Sequence, residues 1–264
     1  MNKFKKALDN NQVAYGIFSA LKDPAIIEIL GYAGYDFAVI DLEHSTVDLS
    51  TMEHMIRAAQ VANISSVVRT PQDDYGTILR AVEAGADAIM VPHLISKEQA
   101  EQIVAMAKYQ PIGQRGLDTS TRVAKFGGIN VKIEDHMRSQ NERLLVIGMI
   151  EDAEAVLNID EIVTAKGLDL LFIGATDLSG SLGYPGQVTH PIVREAIQEV
   201  IDKANNAGVK VGIPAFKPNQ IGEVIDMGVS YLTTPAVDAS YLMQSLKAHL
   251  ESVKLKTNTN KGLS

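Results

Sequence analysis

The sequence predicts an α/β fold of the (β/α)8 barrel type, one ring of parallel strands wrapped in helices. Three observations carry this. The chain has 264 residues, long for a two-layer domain and ordinary for one barrel. A phrase recurs five times: AGYDFAVIDLEH (33–44), AGADAIMVPHL (84–94), KGLDLLFIGATDL (166–178), AGVKVGIPAF (207–216) and MGVSYLTTPAV (227–237). Each copy has a glycine able to close a helix in the left-handed conformation, then a short apolar run. Such a run suits a parallel strand covered on both faces. The third observation is that amphipathic stretches lie between the runs, at 52–61, 97–108, 192–205 and 219–227.

Three further runs complete the ring. The strands are expected at 13–19, 37–43, 66–70, 88–93, 144–151, 170–175, 209–213 and 231–235. A doubly wound open sheet is the structural rival. Residues 1–253 read as a single domain and 254–264 as a polar tail. The connection 109–143 is long for one link between a strand and a helix, and its glycines and basic residues suggest a functional loop or a surface excursion. Near the end, Leu242, Leu246 and Leu250 recur at helical spacing.

Composition narrows the function. The formal net charge is −8, which argues against a nucleic-acid or anionic-membrane surface. There is no cysteine, so disulfides, thiolate metal sites and cysteine nucleophiles are excluded. The first twelve residues lack the apolar segment of a signal peptide. No apolar run reaches the ~18 residues of a membrane span. A cytoplasmic protein without membrane or nucleic-acid partners is expected.

Barrel active sites lie at the C-terminal ends of the strands. There the second strand offers Asp41, Glu43 and His44, the third Arg69, the fourth Pro92 and His93, the fifth Glu151, and the sixth Thr176 and Asp177. Neighbouring strands are ~4.8 Å apart. Glu151 and Asp177 could therefore share one divalent cation, leaving positions open for water and substrate. Alternatively Glu151 caps the next helix. Arg69 suits either a developing oxyanion or a structural ion pair. His44 titrates near neutrality, which suits proton transfer, although a lone histidine is also commonly structural. No lysine ends a strand expected in the site, which disfavours Schiff-base chemistry. His54, His136, His190 and His249 read as surface residues. Neither a P-loop nor a GxSxG elbow is present.

The segments AGYDFAVIDLEHS, VVRT, EAGADAIMVP, GQRG, MIED and FIGATDLSGSLGYPG, taken in order, resemble the HpcH/HpaI aldolase family. This is the metal-dependent pyruvate-aldolase branch of the phosphoenolpyruvate/pyruvate barrel superfamily, and the likeness runs from about residue 14 to 237. It implies a class II aldolase that makes or cleaves 4-hydroxy-2-oxo acids, of the 4-hydroxy-2-oxoheptanedioate or 2-keto-3-deoxy sugar acid type, through a pyruvate enolate. By the same resemblance, Glu151 and Asp177 hold Mg²⁺, Mn²⁺ or Co²⁺. Arg69 steadies the enolate oxygen, and His44 accepts a proton through water. The backbone at Thr176 and Asp177 receives the substrate carboxylate. The acid supporting His44 is Glu83 by the family pattern, with Asp41 in the same rim loop as the alternative.

The resemblance also implies a homo-oligomer, a hexamer or trimer of dimers, with the last helix exchanged between subunits. An ordinary helix packed on its own barrel is the alternative. Four positions depart from the family: Leu42, His93, Asp118 and Met149. Met149 stands where a glutamine is common and donates no hydrogen bond. Oxaloacetate decarboxylation, or a macrophomate-synthase-like decarboxylative bond formation, keeps the same residues and changes the leaving group. A catalytically silent barrel that binds metal and oxo acid is the non-enzymatic alternative.

Overall fold

Each repeat of the glycine phrase opens a strand, and four of the five close a helix; before β6, Gly167 sits instead in a turn that follows the end of a helix at Ile162. The computed structural model describes residues 2–128, 130, 132–215 and 218–261. Its strands are β1 (Ala14–Ser19), β2 (Phe37–Asp41), β3 (Ser65–Arg69), β4 (Ala88–Val91), β5 (Leu145–Ile150), β6 (Leu170–Ile173), β7 (Lys210–Pro214) and β8 (Tyr231–Val237). They pair in sequence order, all parallel, and β8 closes on β1. The protein is a (β/α)8 barrel. Strands two to six stop one or two residues before their expected ends, so Glu43, His44, His93 and Glu151 lie beyond the strands.

The helices are α1 (Lys3–Asp9), α2 (Pro24–Ala33), α3 (Leu49–Val61), α4 (Tyr75–Ala84), α5 (Lys97–Ala107), α6 (Ile133–Arg143), α7 (Ala153–Leu157), α8 (Ile159–Ile162), α9 (Ala175–Ser181), α10 (Pro191–Asn206), α11 (Ile221–Asp226) and α12 (Asp238–Lys261). Side-chain caps start several of them. Asp48 accepts the Thr51 N–H at 2.8 Å and Asp74 that of Thr77 at 2.7 Å, which satisfies donors with no partner inside the helix. Gly34 and Gly85 end α2 and α4 at φ +102° and +98°, as the repeated phrase requires.

The repeated phrase also carries a structural aspartate. Asp36, Asp87 and Asp169 stand just before β2, β4 and β6. Each accepts a backbone N–H from the neighbouring strand: Tyr15 at 3.0 Å, Ser66 at 3.0 Å and Val146 at 2.8 Å. Each is matched by a cation, respectively Lys3, Arg143 and Lys108. These pairs pin the start of the sheet.

Two apolar clusters follow from the period-two alternation of strands. Ala38, Ile40, Val68 and Val146 face outward against the helices. Phe37, Val39, Val67, Met90, Ile147, Met149 and Phe172 fill the barrel. The sequence pattern gives no element at the N-terminus, yet α1 plugs the barrel there. Phe4 stacks on Phe37 at 4.4 Å and meets Tyr231 edge-on at 5.1 Å. Gly16 and Gly212 leave room for those rings, since a Cβ at either would lie 2.2 Å from one.

The connection 109–143 is not bare loop. A short 3₁₀ segment (Arg122–Gly127) and α6 occupy much of it. α6 escapes a pattern search because only His136 and Asn141 of its residues are buried, so it has no apolar stripe. At the other terminus, α12 continues to Lys261, through most of the segment read as a polar tail. Asp238 ties its start to the barrel by accepting from Ser19 Oγ at 2.8 Å and Ala20 N at 2.9 Å. Beyond that anchor Leu242, Leu246 and Leu250 stay exposed.

Candidate active site

The inward phase of the strands, continued to their C-terminal ends, selects the site. On β2 the order Phe37, Val39 leads to Asp41; on β3, Val67 leads to Arg69; on β5, Ile147 and Met149 lead to Glu151. All three charged residues are buried, Asp41 at 3 %, Arg69 at 8 % and Glu151 at 2 % exposure. Asp41 and Arg69 are register partners. Arg69 grips Asp41 with one edge of its guanidinium, Nε to Oδ1 at 2.9 Å and Nη2 to Oδ2 at 2.6 Å. Its Nη1 lies 3.0 Å from Glu43 Oε2, and its charge rests over the Phe18 ring at 4.8 Å. A bidentate fork uses the geometry in which guanidinium binds carboxylate best. The structure shows the ion-pair reading of Arg69, and two of its five N–H groups remain beyond those three contacts.

Glu151 sits across the barrel mouth. Its Oε1 accepts the backbone N–H of His93 at 2.8 Å, and no described residue donates to Oε2. That oxygen occupies the space over Gly174, where a Cβ would lie 2.4 Å away. Gly174 is thus part of the site although no side chain marks it. Burial pushes the Glu151 carboxyl above the usual range; the His93 N–H and imidazole pull it back, and the charges of Glu43 and Asp177 push it up again. The side chain of His93 is 60 % exposed and lies among acids. Nδ1 is 3.0 Å from Asp152 Oδ2 and 3.6 Å from Glu151 Oε1, and Nε2 is 4.0 Å from Glu43 Oε1. The hydrogen bond to Asp152 raises its pKa most, burial lowers it, and the neighbouring charges raise it further.

Asp177 and Thr176 stand exposed in the first turn of α9, directly after Gly174. His44 is 65 % exposed on its side chain, with Nε2 3.9 Å from Glu43 Oε2. Its backbone N–H, and that of Glu43, donate to Asp41 Oδ1 at 3.2 and 3.0 Å. Glu83 lies elsewhere, in the last turn of α4. Burial raises its carboxyl, Arg115 opposes this, and Asp118 adds to it. Within this chain it is not brought to His44, because α4 returns from the rim to the start of β4. The acids beside His44 are Asp41, through the backbone, and Glu43.

The rim thus carries Asp41, Glu43, Glu151, Asp152 and Asp177, of which Asp41 and Glu43 pair with Arg69. Glu43 Oε2 is buried with no hydrogen bond, its contact with Arg69 being an ion pair of poor angle. Such a surplus of hard oxygen ligands fits a divalent cation and no anion. Among the described residues, no group of three or more His, Asp and Glu side chains is assembled to hold a metal. The two carboxylates Glu151 and Asp177 are the donors that the sequence offers.

The model of the HpcH/HpaI aldolase/citrate lyase family matches residues 14–233. The chain belongs to this family. The family's 5-keto-4-deoxy-D-glucarate aldolase from Shigella boydii serotype 18 (strain CDC 3083-94 / BS512) is 35 % identical over 231 residues, 88 % of each chain. Among solved structures, the citrate synthase SbnG is 34 % identical with a TM-score of 0.89, covering 98 % of this chain and 100 % of that one. A family member from Burkholderia cenocepacia J2315 is 31 % identical with a TM-score of 0.90, covering 96 % and 100 %.

Two residues of this rim escaped the sequence analysis, Asp152 and Gly174, and Glu43 is placed there at the rim without a role of its own. Counting the inward phase from Leu170 through Phe172 to Gly174 would have found the glycine. His93 stands at the expected end of the fourth strand, and its offset in the ladder between β4 and β5 is what no local pattern announces.

Proposed function

We propose that the chain is a divalent-cation-dependent aldolase that cleaves or forms 4-hydroxy-2-oxo acids, with pyruvate and an aldehyde as the other side of the reaction. The observation that carries this reading is the Glu151 carboxyl, 2 % exposed with Oε2 accepting from no described residue, whose charged form burial and the nearby Glu43 and Asp177 disfavour. A cation beside these acids would favour the charged form of Glu151. Glu151 and Asp177 would hold Mg²⁺, Mn²⁺ or Co²⁺. When bound, the cation would supply Lewis-acid polarisation of the substrate's C2 carbonyl.

The residues of the chain do the rest. The first turn of α9, at Thr176 and Asp177, offers backbone N–H groups to the substrate carboxylate. His44, exposed and beside Glu43, takes the C4 hydroxyl proton through water. The C3–C4 electron pair then moves to form the enolate as the aldehyde leaves, and negative charge collects on the C2 oxygen. Arg69 cannot swing away, because Asp41 and Glu43 hold it. Its remaining N–H groups are preorganised for that charge, which makes them stronger in the transition state than in the ground state. Return of a proton to C3 completes the cleavage.

Two observations favour a second reading, carbon–carbon bond formation onto an oxo acid, with oxaloacetate decarboxylation as its partial reaction. One is the identity with a citrate synthase across almost the whole chain. The other is the buried, apolar Met149 below Glu151, where a polar substrate contact is common. We also propose a cytoplasmic homo-oligomer, a hexamer with α12 exchanged between subunits. The uncovered Leu242, Leu246 and Leu250 support exchange, and among the described residues no helix is long and apolar enough to cross a membrane.

The test is a panel of aldehydes with pyruvate after chelation, with Mg²⁺, Mn²⁺ or Co²⁺ restored one at a time. Activity that returns only with a cation supports the proposal. Full activity in the chelated protein contradicts it. Parallel detection of aldehyde, CO₂ and citrate separates the two readings.

A further inference from the structure

The barrel is irregular where β4 meets β5. Val91 faces Gly148 in regular register. Were the ladder unbroken, the N–H of His93 would donate next, to Met149 O. Instead Leu94 N–H takes that acceptor, at 3.0 Å. One residue has been inserted, which makes a bulge. The inserted residue is His93, at φ +52°, in the left-handed region that non-glycine residues seldom enter. Its N–H, released from the ladder, points to Glu151 Oε1 at 2.8 Å.

The surroundings fix this irregularity. Pro92 precedes it and has no N–H for the ladder. Leu94, after it, lays its side chain against Gly148, where a Cβ would come within 2.2 Å of Leu94 Cδ2. Strained backbone persists where neighbours over-determine it, and such positions gather at functional sites. The imidazole contacts Asp152 at 3.0 Å and Glu43 at 4.0 Å, and its Nδ1 also lies 3.6 Å from Glu151 Oε1, beyond hydrogen-bond distance.

We propose that the bulge at His93 is a positioning device for Glu151. The left-handed backbone frees one ladder N–H, that N–H holds Oε1, and Oε2 is left as the oxygen offered to a divalent cation. The residue acts through its backbone, so position 93 requires a residue that tolerates left-handed φ more than it requires an imidazole. This inference rests on the cation reading given above.

The test compares His93→Gly, His93→Asn and His93→Val in the full-length protein. Gly adopts left-handed φ freely and Asn does so readily, whereas a β-branched residue does not. Mn²⁺ alone is titrated by calorimetry, and the metal-free variants are crystallised. His93→Gly and His93→Asn should bind Mn²⁺ within about threefold of wild type, while His93→Val should bind roughly ten- to a hundredfold more weakly, the usual loss when a partner of a metal ligand is removed. In the metal-free crystals the Glu151 carboxylate should keep its place in the Gly variant and leave it in the Val variant. Equal weakening in Gly and Val would overturn the inference, because the ring would then be the holder. Wild-type affinity in Val, with Glu151 unmoved, would overturn it too. If wild type binds no Mn²⁺, the cation reading fails by itself, and the position of Glu151 in the Val and Gly crystals decides the backbone's role.

Discussion

At the N-terminal end of the barrel the inward positions carry Gly16, Phe37, Gly212 and Tyr231, closed from below by Phe4. At the other end the same inward phase reaches Phe18, Asp41, Arg69, Glu151 and Gly174. The first end is aromatic, close-packed and neutral. The second is buried, charged and locally strained at His93. Strand alternation decides only which residues face inward. Position along the strand decides whether an inward residue serves packing or chemistry. The aspartates show the same division. Asp36, Asp87 and Asp169 staple strand starts at the packed end, whereas Asp41 orders the reactive rim.

Substitutions can break this division or sharpen it. The largest effect is expected from Glu151→Ala and Asp177→Ala, each of which should abolish cation-dependent turnover in an aldol-cleavage assay while the barrel stays folded by circular dichroism. Retained turnover in either would move the cation elsewhere. Next comes Arg69→Ala. Losing a preorganised donor to an oxyanion should cost roughly a hundred- to a thousandfold in kcat, with a smaller change in KM. A rise in KM alone would assign Arg69 to ground-state binding.

Phe4→Ala tests the opposite end. It should lower unfolding free energy by about 3–5 kcal/mol, as for large buried aromatic residues, measured by urea denaturation. Turnover per folded molecule should not change. A loss of turnover at permissive temperature would couple the two ends.

The smallest effect concerns rim carboxylates with no chemical role. Asp48 and Asp74 start helices at the reactive end, and their hydrogen bonds to Thr51 and Thr77 hold both carboxyls below the usual carboxylate range. Such acids are deprotonated at lower pH in the folded chain than in the unfolded one. The stability they give is complete above the ordinary aspartate pKa of about 4 and is lost as pH falls through the lower folded value. Asp48→Ala should therefore lower the melting temperature at pH 7 more than at pH 3, with kcat unchanged.

The barrel itself was readable because its signals are local. Glycine, apolar run and amphipathic stretch recur within short windows, and each maps to one element. What escaped depends on contacts between distant segments. α1 has two buried apolar residues, Phe4 and Leu8, too few for a periodic pattern, and it forms because the barrel needs a plug. α6 is polar on most of its surface. In the site, Asp41, Arg69 and Glu151 follow from counting strand positions. His93 follows from a one-residue offset between two strands that no single stretch of sequence encodes. Glu83 shows the opposite case: the resemblance names it, and within the chain it lies in the last turn of α4, away from His44.

In the proposed mechanism a cation held by Glu151 and Asp177, with Arg69, stabilises a pyruvate enolate. Exchange of the pyruvate methyl protons with deuterated water, followed by proton NMR, tests this without knowledge of the aldehyde. Exchange is expected with Mn²⁺ or Mg²⁺ present, with loss on chelation and recovery on readdition. Exchange at full rate in the chelated protein would contradict it.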